Sequence, residues 1–96
     1  MRELEFERFL LNDQGIHSKY KAVKSRMSKA RAVEKQLNED MDSIVRDDKR
    51  MYQALKRINS EMKNFSGAYF NSLRKYYIFC NSTEFPKLDA YNKITV

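Results

Sequence analysis

Apolar residues in this chain recur at spacings of three and four and rarely alternate, which predicts helices and no sheet. The first predicted helix runs from about Arg2 to Leu11, with Leu4, Phe6, Phe9 and Leu10 available to a core. Asn12-Asp13-Gln14-Gly15 stops it, since Gly15 can take a left-handed end conformation. A second, longer helix starts at Ser18, whose hydroxyl can cap it, and ends near Gln36 or Leu37. Tyr20, Val23, Met27, Ala30, Val33 and Leu37 form its apolar stripe, with Arg26 at the stripe's edge. Met41, Ile44 and Val45 suit a single turn capped by Asp42. Asp47 or Asp48 then caps a helix to about Met62, with Met51, Leu55, Ile58 and Met62 facing inward. A last long helix spans about Ser66 to Phe79, with Tyr69, Leu73, Tyr76 and Cys80 on one face. Its aromatic density fits ring packing in a core better than base stacking. Residues 82–96, with a proline break and no clear helical period, are expected to be a tail or inter-domain linker.

The expected fold is therefore all-α: a compact bundle of about four helices over residues 1–81, followed by that C-terminal tail. Two glycines and one proline in 96 residues argue against turn-dense β architectures. A single cysteine, Cys80, excludes an intrachain disulfide and suits a reducing cytoplasm. The longest apolar run, Tyr76 to Cys80, is too short to cross a bilayer, so no membrane partner is expected.

Charge changes the picture once it is divided along the chain. The net charge is +6, and residues 17–35 hold seven bases against one acid, Glu34. On the second helix His17, Lys21, Lys24, Ser28, Arg31 and Lys35 fall in one narrow sector, away from the apolar stripe and without an acid. A solvated helix face usually mixes both signs, so this sector points to a polyanion, most often nucleic acid, with a lysine-rich solvated face as the alternative on charge alone. Its cations would hold phosphates, while Ser28 and His17 can hydrogen-bond to phosphate or base edges.

Catalytic chemistry finds little support. His17 has no partner at metal-ligand spacing, no glycine-rich phosphate loop exists, and no serine has a histidine and acid arranged to activate it. No enzyme activity, cofactor or metal is expected.

Two segments carry a family resemblance. Phe9-Leu10-Leu11, then Gly15-Ile16 and Ser18-Lys19-Tyr20, resembles the opening of the N-terminal, SAM-like core-binding domain of phage integrases and other tyrosine recombinases. There an F-x-x-(F/W)-L pattern precedes G-(L/I)-S-x-x-T and a long helix. This chain departs by one inserted residue at His17, and Lys21 stands where the family often has Thr. Tyr69-Phe70-Asn71-Ser72-Leu73-Arg74-Lys75-Tyr76-Tyr77-Ile78-Phe79 is similar to the closing S-A-L-R-x-(F/Y)-Y-x-F helix. The resemblance implies a non-catalytic module for duplex DNA, one half of a clamp in DNA recombination and integration. A catalytic domain beyond Val96 and other recombinase subunits would be its partners. It also brings in Arg74 and Lys75 as DNA contacts. The alternatives are a helical protein-interaction module, supported by an apolar tail (Phe85, Leu88, Tyr91, Ile94, Val96), or a targeting domain of another DNA enzyme.

Overall fold

In a computed structural model, which describes residues 1–12, 19–62 and 67–95, the three-and-four spacing resolves into helices throughout. Among the described residues there are six: α1 (Glu3–Leu11), α2 (Lys19–Leu37), α3 (Met41–Val45), α4 (Asp48–Glu61), α5 (Ala68–Asn81) and α6 (Leu88–Thr95). The architecture is an all-α bundle.

Local chemistry sets the helix ends. α2 stops where Asn38 turns left-handed (φ 53°) and the Glu39 N–H reaches back to the Glu34 carbonyl at 3.3 Å. Asp47 is extended, and its carboxylate accepts from the N–H groups of Lys49 and Arg50 at 2.9 and 3.4 Å, so α4 begins at the next residue. Gly67 enters α5 with φ 72°, a conformation that costs glycine little. The caps expected at Gly15 and Ser18 lie outside the described residues.

α5 is the hub, packing on α1, α2, α3 and α4. Its Leu73 and Tyr76 are fully buried and meet Phe6 and Leu10 of α1, the Val23–Leu37 stripe of α2, Met41 and Ile44 of α3, and Met51, Leu55 and Ile58 of α4 in one core. Phe6, Phe9, Tyr76 and Phe79 form its aromatic centre, with the Phe6–Tyr76 rings 4.9 Å apart and edge-on. Of the α5 rings, Tyr76 and Tyr77 are buried in the core, while Tyr69, Phe70 and Phe79 pack half-buried against it.

Four expectations need correction. Leu4 is 76% exposed, because two residues before Phe6 is about 200° round a helix and faces away from the core. Tyr20 is 80% exposed, because it sits at the border of the buried arc, about 40° from Lys24. α3 is preceded by Asp40, not capped by Asp42, whose carboxylate instead accepts from the Tyr76 hydroxyl. The segment after Asn81, expected to have no clear helical period, carries α6. Phe85 is 1% exposed, edge-on to Tyr77 at 5.2 Å and beside Tyr91 at 5.3 Å, and Tyr91 stacks on Tyr52 at 4.9 Å. Leu88 and Tyr91 are enough to seat an eight-residue helix, which is too short to show a period in sequence.

The two buried phenols give the fold a pH signature. Burial and the hydrogen bond to Asp48 push Tyr77 from 10.0 up to about 12. Burial and the bond to Asp42 push Tyr76 upward as well. Both pKa values are higher folded than unfolded, so the associated stability is present below pH 10 and is lost as pH rises through the folded values. A tyrosinate absorbance titration should therefore show two of the six tyrosines ionising late, together with loss of near-UV circular dichroism. Normal ionisation of all six near pH 10 would contradict the buried hydrogen bonds.

Candidate nucleic-acid interface

The long helix α2 turns its apolar stripe to α5, α1 and α4, which leaves the opposite arc to solvent. At about 100° per residue, Lys21, Lys24, Ser28, Arg31 and Lys35 occupy an arc of about 80°. All five are exposed. Among the described residues no carboxylate lies within ion-pair distance of Lys21, Lys24 or Lys35. Glu34, the one acid on α2, is turned elsewhere: it lies 3.2 Å from the Met1 amine and accepts from the Met41 N–H at 2.9 Å.

Arg31 differs from its neighbours. Its guanidinium meets Glu3 of α1 at 2.7 and 2.8 Å. The pair is exposed, and such pairs are worth about 0–1 kcal/mol, so a phosphate can compete for this arginine. Among the described residues the row thus holds three cations without acid partners and a fourth held by an exchangeable one. His17 lies outside the described residues.

The chain matches no known protein family, no curated protein and no solved structure.

Arg74 and Lys75 do not join this row. They sit half-buried on α5 and line a groove on the other flank of α2. Arg74 donates to the Phe85 carbonyl at 2.5 Å and the Pro86 carbonyl at 3.5 Å, so its first task is to hold the segment leading into α6. Two cations that the sequence did not single out as ligand-binding, Arg26 and Lys29, complete this flank. Lys29 places its ammonium 5.0 Å from the centre of the Tyr69 ring. Only the approach of α5 to α2 brings these four residues together, which is why helical spacing on α2 could not reveal them.

Other chemistry is sparse. Among the described residues no group of three His, Cys, Asp or Glu side chains could hold a metal, and no helix is long and apolar enough to cross a membrane. Cys80 accepts a long contact from Arg2 at 3.5 Å. The apolar tail surface has contracted: Phe85 is buried, and Leu88 and Tyr91 are half-buried. The side chains of Ile94 and Val96 lie outside the described residues.

Proposed function

We propose that this chain is a non-catalytic module that grips double-stranded DNA through the outer face of α2. The observation that carries this reading is the exposed row Lys21, Lys24 and Lys35, with Ser28 among them, facing solvent without acid partners among the described residues. An unneutralised cationic arc of this sort suits the phosphate backbone, because each lysine that displaces condensed counterions adds to affinity. Arg31 would exchange Glu3 for phosphate as the fourth contact.

The resemblance to core-binding domains of tyrosine recombinases fits this role. Its opening and closing segments meet in the bundle, where the Phe9 and Phe79 rings stand 5.4 Å apart. On that reading the chain works in a reducing cytoplasm as one half of a DNA clamp. A catalytic domain and neighbouring recombinase subunits complete the assembly.

The test is fluorescence anisotropy of a labelled duplex across a salt series. Three lysine contacts predict that log K falls against log salt with a slope of about −2.7, steepening to about −3.6 if Arg31 also engages. Lys24→Glu with Lys35→Glu should weaken binding at least about tenfold at low salt. No binding at low salt, or an affinity untouched by the double reversal, would overturn the proposal.

A further inference from the structure

The groove between α2 and α5 holds a feature that the lysine row does not explain. Ser72, fully buried on α5, donates its hydroxyl to the Arg26 carbonyl at 3.1 Å and pins that turn of α2 in place. The Arg26 side chain then lies along the seam, and its Nε–H is buried with no acceptor among the described residues. A buried donor left unpaired costs about 1–3 kcal/mol, and native proteins seldom leave one without a partner. Arg26 therefore presents a guanidinium whose acceptor the described residues do not supply.

The surroundings indicate which kind. Arg26 and Asn71 lie between two adjoining hollows. One, of about 330 Å³, is also lined by Arg74, Lys75, Ile78 and Phe85, with the exposed carboxylate of Glu84 at its rim. The other, of about 240 Å³, adds Lys29 and the first turn of α5. Four cationic side chains against one carboxylate favour an anion. The guanidinium and amide donors suit an oxygen-rich acceptor, and the apolar walls of Ile78 and Phe85 suit a carbon skeleton beside it. We infer that this groove is a binding site for a phosphate ester, held by Arg26 and Asn71 in the field of Lys29, Arg74 and Lys75. The inference stands apart from the DNA reading, since Arg26 and Lys24 are about 160° apart on α2.

A phosphate ester can come from a nucleic-acid backbone or from a free phosphomonoester, and one experiment separates the two. The whole chain, labelled with ¹⁵N in its arginine and asparagine side chains, is titrated with inorganic phosphate, a mononucleotide and a short duplex. Chloride at matched ionic strength is the control. The Arg26 Nε–H and Asn71 amide resonances should move saturably with phosphate and not with chloride. Arg26→Met keeps the packed stem and removes the donors. It should abolish the shift at Asn71 while retaining the melting temperature, and Arg26→Lys should weaken it. A backbone source predicts that the duplex moves the Arg26 signal. A free-ester source predicts that the mononucleotide moves it and the duplex does not. Lys24→Glu with Lys35→Glu should leave the phosphate response intact even where duplex binding is lost, so failure of one site does not imply failure of the other. An Arg26 signal indifferent to phosphate, or moved equally by chloride, would overturn the inference.

Discussion

Phe6→Ala is expected to remove about 3–5 kcal/mol of stability, the usual cost of emptying a fully buried phenylalanine site. Phe6 has no exposed surface, and its ring contacts those of Phe9, Tyr76 and Phe79 at 6.3, 4.9 and 5.6 Å. No neighbour can easily refill the space, because Tyr76 is fixed by two hydrogen bonds. Its hydroxyl donates to Asp42 and accepts from the Arg2 N–H. Small domains are stable by about 5–15 kcal/mol, so this one truncation consumes a large share of the total. Urea unfolding followed by far-UV circular dichroism should show a lower midpoint with a similar slope. A loss below about 1 kcal/mol would mean that α1 does not close the bundle as described.

Phe85→Ala should cost nearly as much locally and be felt in a different place. The ring is 1% exposed between Tyr77 and Tyr91, and the carbonyl of the same residue accepts from Arg74. Truncation removes the anchor that holds α6, so the α6 amides should exchange with solvent far faster than those of α2 and α5. The global loss should reach about 3 kcal/mol if α6 unfolds with the bundle, and less if it detaches alone. Hydrogen exchange read residue by residue distinguishes these. Unchanged protection in α6 would show that Phe85 does not seat it.

Much of the bundle was legible because its determinants are local. The stripe from Val23 to Leu37 and the Asp47 cap each depend on neighbours within a few residues, and both appear as expected. Leu4 faces solvent because it lies about 200° from Phe6 round α1, which apolar character alone does not reveal. α6 is not legible in the sequence because its order comes from Phe85, Tyr52 and Arg74, which are remote or non-helical partners that no periodicity records. The candidate site divides in the same way. The lysine row lies on one helix and could be found from spacing. The neutralisation of Arg31 by Glu3 and the gathering of Arg26, Lys29, Arg74 and Lys75 both require two helices to pack, so they emerge only in three dimensions.

On the proposed function, the outer face of α2 is what meets DNA. Backbone amide shifts of ¹⁵N-labelled protein, recorded while a short duplex is added at low salt, test it most directly. The largest movements should cluster at Lys21, Lys24, Ser28 and Lys35, and added salt should reverse them. A spectrum that the duplex leaves unchanged, or movements confined to α4 and α6, would contradict it.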